Sequence, residues 1–310
     1  MAAVLTIGEA LIDIVVPHDS GERSEHVGGS PANVAIGLAA LDHESRLTAY
    51  LGADEHGERV RRHVERYGVT LTEGSEDAPR TSTATAHLDA DAVATYDFDL
   101  AWELGPQDLT GVGHVHTGSI AATLEPGGSA VVELIERARR EATVSYDPNA
   151  RPTIMGAPED ARGRIEECIG RSDVVKASLE DLEWLYGEAD QADVVDIVHR
   201  WGQLGPHLVV VTRGGEGAVV HLSRDDTTLE LPSLTVQVVD TVGAGDSFMS
   251  GLVSGLLDAG LLGSPEARDR LARAELEHIA PALERAVACA GWTVARSGAA
   301  APTRDDLDLT

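Results

Sequence analysis

The sequence predicts an α/β fold: a doubly wound, mostly parallel sheet with helices on both faces. Three observations carry that expectation. Short apolar runs rich in β-branched residues alternate along the chain with longer stretches of helical spacing. The 310 residues hold no internal repeat and no low-complexity linker, so one large unit over residues 1–310 is expected. A hydrophobic fraction of 43% with 25% charged residues is ordinary for a packed core.

Ala3 to Ile7 reads as the first buried strand. Asp13 to Val27 breaks the alternation and reads as a hairpin, with Asp19-Ser20-Gly21 as its turn. Ala32 to Leu41 and Glu55 to Tyr67 carry apolar residues at three- and four-residue spacing and are expected as helices. Thr81 to Asp99 is a second hairpin candidate, with Thr83, Thr85 and His87 on one strand face. These two segments, about 13–27 and 81–99, read equally well as a small β-lid inserted over a pocket or as edge strands of the main sheet. Further strands are expected over Val112 to His116, Ala142 to Tyr146, Asp173 to Val175 and Leu208 to Thr212. Ala130 to Arg140 and Asp193 to Leu204 are expected as the helices between them, and a strand over Leu234 to Val239 leads to a last helix, Ser247 to Leu257.

Charge narrows the range of partners. With 24 Lys and Arg against 52 Asp and Glu the net charge is -28, which argues against a nucleic-acid partner. Lys176 is the only lysine, so any anionic ligand must be held locally. No apolar run is long enough to cross a bilayer, and no basic leader precedes the first strand, so a cytoplasmic location is expected. Cys168 and Cys289 sit far apart in helical sequence and read as isolated buried thiols. His114 and His116 share a strand face but lack a third ligand, so a packed, hydrogen-bonded role is expected of them.

The sharpest chemical signal is Asp240-Thr-Val-Gly-Ala-Gly-Asp-Ser-Phe-Met-Ser-Gly251. In the helix that follows, Phe248, Leu252 and Leu256 form one apolar stripe and Met249, Val253 and Leu257 its neighbour. Gly251 and Gly255 permit close packing of that helix. At its start the backbone N–H groups of Gly243, Ala244 and Gly245 are placed to bind an anion, helped by the helix dipole. Asp246 directly after them is suited to accept a hydroxyl proton, or else only to cap the helix. A Walker A loop is excluded because Lys176 is followed by Ala177, and Gly8-Glu9-Ala10-Leu11 lacks the dinucleotide fingerprint.

Together with a second signature, Gly28-Gly-Ser-Pro-Ala-Asn-Val-Ala35 continuing to Leu51-Gly-Ala-Asp-Glu-His-Gly57, these residues give a specific resemblance. From Gly8 to about Pro302 the chain resembles the ribokinase and PfkB family of carbohydrate kinases, most of all its fructokinase branch. The resemblance implies a ribokinase-like fold and ATP-dependent transfer of a phosphoryl group to a primary hydroxyl of a small sugar, with fructose the first choice. Ribose, 2-keto-3-deoxygluconate and a nucleoside stay open as acceptors, and a non-catalytic sugar or nucleotide sensor is the rival of another class. By the same resemblance Asp246 is the base, and Gly243, Ala244 and Gly245 form the anion hole. Asp13, Gly29, Asn33 and Arg151, in Asp147-Pro-Asn-Ala-Arg-Pro152, match substrate-binding positions. Thr212, Gly214 and Gly217 match the nucleotide-binding turn. Ser178 stands where many relatives carry Asn, and Asp181 where they carry Glu, so Asp181 or Glu180 is implied at the water shell of Mg²⁺. A K⁺ ion beside the anion hole is implied at Asp240. An exposed lid edge would suit a homodimer.

Overall fold

The computed structural model describes residues 2–18, 23–89, 94–187 and 191–309. The turn expected at Asp19-Ser20-Gly21 lies outside the described residues. The chain opens with β1 (Ala3–Ile7), β2 (Leu11–Val16), β3 (Ser24–Gly28) and α1 (Ser30–Ala40), followed by β4 (Ser45–Thr48), α2 (Glu55–Arg66) and β5 (Thr70–Leu71). The middle comprises β6 (Thr83–Leu88), β7 (Ala94–Asp99), β8 (Val112–Gly118), α3 (Gly127–Ala138), β9 (Thr143–Asp147), α4 (Pro152–Met155) and α5 (Pro158–Gly170). Next come β10 (Val174–Ser178), α6 (Leu179–Tyr186), α7 (Gln191–Leu204), β11 (Leu208–Thr212), β12 (Ala218–Leu222) and β13 (Thr227–Leu231). Three helices close the chain: α8 (Ala244–Asp258), α9 (Pro265–Leu271) and α10 (Leu276–Val294).

Nine strands form the main sheet in the order β13-β12-β11-β10-β9-β8-β1-β4-β5. Every pair from β11 to β5 is parallel, and only β12 and β13 at one edge run antiparallel. Strand periodicity divides the core between the two faces. Val4, Val174 and Val210 pack with α1, α8 and α10, whereas Leu5, Val175 and Val211 pack with α3, α5, α6 and α7. β2, β3, β6 and β7 make a separate four-stranded sheet in the order β3-β2-β6-β7, so the second of the two readings of those segments, edge strands of the main sheet, is excluded. Ile12 and Ile14 of that sheet pack with Ile36 of α1, Leu47 of β4 and Val60 and Val64 of α2.

One expected strand is absent. Leu234 to Val239 forms no ladder: Pro232, which has no N–H to donate, follows the last residue of β13 and the chain leaves the sheet there. The run instead crosses the end of α10, with Val239 N–H donating to Val294 O at 2.7 Å and Leu234 lying against Gly291. The histidine pair behaves as expected: His114 and His116 are fully buried, and Ser145 Oγ bonds both rings at 2.9 Å. Burial holds both imidazoles down at about 3. Cys168 and Cys289 are buried free thiols.

Candidate active site

Parallel α/β sheets collect ligands where the strand order reverses, at the carboxyl ends of the strands. Here β1 lies between β8 and β4: the chain first adds β4 and β5 on one side of it and then β8, β9, β10 and β11 on the other. Gly8 and Glu9 follow β1, Ser119 follows β8, and Asp147, Ser178 and Thr212 end β9, β10 and β11, so one edge of the sheet carries them all.

The starts of two helices meet above this edge. Gly243 caps α8 with φ 76°, a left-handed conformation that glycine adopts without strain. Among the described residues, the N–H groups of Gly243, Gly245 and Asp246 find no backbone acceptor, while Ala244 N–H turns back to Thr241 O at 3.2 Å. Three amides therefore remain for an anion, and Asp246 replaces Ala244 in the expected trio. Asp246, 9% exposed, does not cap its own helix. Its Oδ1 accepts from Ser30 Oγ at 2.7 Å and its Oδ2 from Asn33 Nδ2 at 2.8 Å, both on α1. Gly29 caps α1 at φ 110°, and a Cβ there would lie 2.3 Å from Glu9 O, so only glycine lets α1 start this close to the sheet edge. Asn33, expected at the sugar, thus spends its amide nitrogen on orienting Asp246.

Under the α8 turn lies the lone lysine. A Cβ on Gly245 would sit 2.9 Å from Lys176 Nζ. Lys176 is 3% exposed and pairs with Asp147 Oδ2 at 2.9 Å. Burial alone would lower the lysine, but Asp147, Asp181 and Asp246 outweigh it and raise the ammonium. Burial lifts Asp147 to about 6 against the pull of Lys176. It lifts Glu9 to about 7, opposed first by the nearby Ser119 hydroxyl and then by Arg151, and aided by Asp246. Glu9 Oε2 and Asp147 Oδ1 are buried and have no hydrogen-bond partner among the described residues, and the buried Ser119 Oγ lies near the Glu9 carboxyl without a bond of ordinary geometry. Leaving such atoms unpaired costs about 1–3 kcal/mol each, so a polyol that supplies hydroxyls to this strand edge is the ligand chemistry they fit.

The remaining expected residues surround this centre. Asp13 lies on β2 and Arg151 at the start of α4. Partial burial raises the Asp13 carboxyl, against Arg151 and His26. Arg151 Nη1 bonds its own loop, reaching Asn149 O at 2.8 Å and Ala150 O at 3.0 Å. Asn149, Arg151, Ser178, Glu180, Asp181 and Trp184 line a depression of 240 Å³. There Ser178 and Asp181 form the capping box of α6. Asp181 Oδ2 accepts from Ser178 N–H at 2.7 Å and Oδ1 from Ala150 N–H at 2.6 Å, which leaves Glu180 as the exposed acid of the two. Thr212 ends β11 with its hydroxyl on Ala177 O at 3.3 Å. The turn from Gly214 to Gly217 closes through Arg213 N–H on Gly217 O at 2.7 Å, with open space above Gly214. Asp240 accepts from Val242 N–H at 3.0 Å and Gly298 N–H at 2.8 Å, and these bonds hold its carboxyl below the usual range.

Five residues of this centre were given no role from the sequence: Glu9, Ser30, Ser119, Asp147 and Lys176. Three of them carried a signal. Ser30 opens the helix at Gly-Gly-Ser-Pro, Asp147 opens the Asp-Pro-Asn-Ala-Arg segment, and Lys176 is a charge inside an otherwise apolar strand.

Comparison with known proteins agrees with this architecture. The sequence model of the pfkB family carbohydrate kinases matches residues 1–306. A fructokinase of Klebsiella pneumoniae is 32% identical over 317 aligned residues, which cover 98% of this chain and 97% of that protein. The crystal structure of a fructokinase from Xylella fastidiosa superposes with a TM-score of 0.82 at 25% identity, covering 99% of this chain and 98% of that one. Aminoimidazole riboside kinase from Salmonella enterica, complexed with aminoimidazole riboside and an ATP analog, gives 0.76 at 26% identity, covering 99% of this chain and 98% of that one. A match over nearly the whole chain, to proteins of the same layered fold, makes this chain a member of the pfkB family of carbohydrate kinases.

Proposed function

We propose that this chain is an ATP-dependent fructokinase, with Asp246 as the base that takes the proton of a primary hydroxyl. One observation carries the reading: the Asp246 carboxylate, fixed by Ser30 and Asn33, sits at the same helix start as the open N–H groups of Gly243 and Gly245. A hydroxyl placed against the carboxylate gives up its proton while the amides, the helix dipole and the buried Lys176 charge stabilise negative charge on the phosphoryl group. None of these groups has to move for the step, which is the benefit of preorganisation.

The sugar is assigned to Asp13, Gly29, Asn33 and Arg151, joined by the buried oxygens of Glu9 and Ser119. The nucleotide is assigned to Thr212, Gly214, Gly217 and Ser178. Magnesium, which neutralises phosphate charge when bound, is assigned through water to Glu180, because the Asp181 oxygens already accept backbone N–H groups. Asp240 is assigned to a potassium ion, whose positive charge would lie beside a carboxylate already kept ionised by two amides. The four-stranded sheet is assigned as a lid that pairs with a second copy, and the reaction as cytoplasmic.

A coupled ADP-release assay across fructose, ribose, 2-keto-3-deoxygluconate and adenosine tests the reading. Fructose is expected to give the highest kcat/KM. Turnover of adenosine alone would move the chain to the nucleoside kinases. Tight sugar binding without ADP release from any acceptor would make it a sensor.

A further inference from the structure

At the end of β12 remote from Gly217, three donor side chains converge. His221 is buried on β12, His199 lies on α7, and Asp226 sits in the turn between β12 and β13. One donor atom from each falls within 4.8 Å of the others. His199 Nδ1 contacts Asp226 Oδ1, and His221 Nε2 stands 3.9 Å from the same oxygen. The outer nitrogen of each ring is engaged: His221 Nδ1 by Thr228 Oγ1 at 3.0 Å and His199 Nε2 by the Gln203 amide at 2.6 Å. Outer partners of this kind fix ring orientation in histidine-ligated metal sites and leave the inner nitrogens aimed at the ion. A Cβ at position 202 would lie 2.6 Å from His221 Nε2, so Gly202 keeps this space open.

We propose that His199, His221 and Asp226 form a binding site for a transition-metal dication of the zinc type, which clips α7 to the β12–β13 turn. Two imidazoles and a carboxylate are a donor set that zinc accepts, with water in the fourth position. Bonds of about 2.0–2.1 Å in a tetrahedron place donors about 3.4 Å apart, so His221 and Asp226 close by roughly half an ångström while the shorter His199–Asp226 contact opens to the same spacing. Asp226 is exposed and stands in a turn, so it can travel that distance. The ring proton of His199 moves from Nδ1 to Nε2, and the Gln203 amide turns its oxygen to accept it.

Calorimetric titration of ZnCl₂ into the EDTA-treated, nucleotide-free full chain tests the site. One saturable equivalent is expected, together with a rise in Tm. His199→Gln is expected to weaken that equivalent by at least about tenfold. Because side-chain exposure at His199 is 41%, this variant decides the matter. Its Tm in EDTA and its sugar-kinase activity are expected to match the parent, while His221→Asn gives the same loss of zinc if it folds. Absence of a saturable equivalent, or equal affinity in His199→Gln, would overturn the proposal and leave zinc to the scattered surface carboxylates.

Discussion

Donors from α1 hold Asp246 through both carboxylate oxygens, so its replacement by Asn keeps the shape of the contact and removes the proposed base. Asp246→Asn is expected to lower kcat by about 10²- to 10⁴-fold while ATP binding, followed by calorimetry, stays near the parental value. Lys176 poses the reverse problem, because its value lies in the charge it neutralises. Lys176→Met leaves Asp147 buried without a partner and is expected to lower stability by about 3–5 kcal/mol in denaturant unfolding, most of which Asp147→Leu in the same chain should restore. Glu9 gives a pH signature. Its carboxyl rises from 4.5 to about 7 on folding, so between these values the folded state binds more protons than the unfolded one. Stability from this group is complete below about 4.5 and falls as pH rises through about 7. Comparison with Glu9→Gln by denaturant unfolding across that window should isolate the slope.

At the scale of elements, α8 carries Asp246 and leans on α10 through glycines. A Cβ at Gly255 would lie 2.5 Å from Ala282 Cα, and one at Gly251 would lie 2.9 Å from Ala286 Cα. Gly255→Leu is therefore expected to push the helices apart, lowering stability by about 1–3 kcal/mol and kcat with it, as thermal melts and steady-state assays would record. This close approach was legible in the sequence, because the glycine spacing coincides with the apolar stripe of the helix. Strands β1 and β11 were legible for a similar reason: both faces are covered, so apolar residues dominate them, whereas β8 and β9 were legible as short buried runs although His114, His116 and Ser145 interrupt their apolar residues. β12 and β13 went unread, as did most of α5 and α10, where polar residues and Pro281 dilute the pattern. Leu234 to Val239 misled in the opposite direction. Its β-branched composition reads as a strand, yet Val238 and Val239 are 60% exposed and the run bonds to the end of α10.

For the whole molecule, a net charge of -28 is a standing repulsion that a compact state must overcome. The Debye length shrinks from about 30 Å at 0.01 M salt to about 8 Å at 0.15 M, so Tm should rise over that range by several degrees in calorimetric scans. Failure to rise would mean that local ion pairs already offset the excess. Scale also explains how much of the site could be read in advance. Each signature is local and gave its residues by spacing, whereas the bond from Asn33 to Asp246 joins positions 213 residues apart. Only the folded sheet order brings these together, and the same holds for Glu9, Ser119 and Asp147, which belong to successive strand ends. The interior position of Lys176 has a practical consequence. The only side-chain amine of the chain is enclosed, so acylating reagents and amine-directed cross-linkers find no lysine on the native surface, and any label that reaches this residue reports that the glycine turn before α8 has opened.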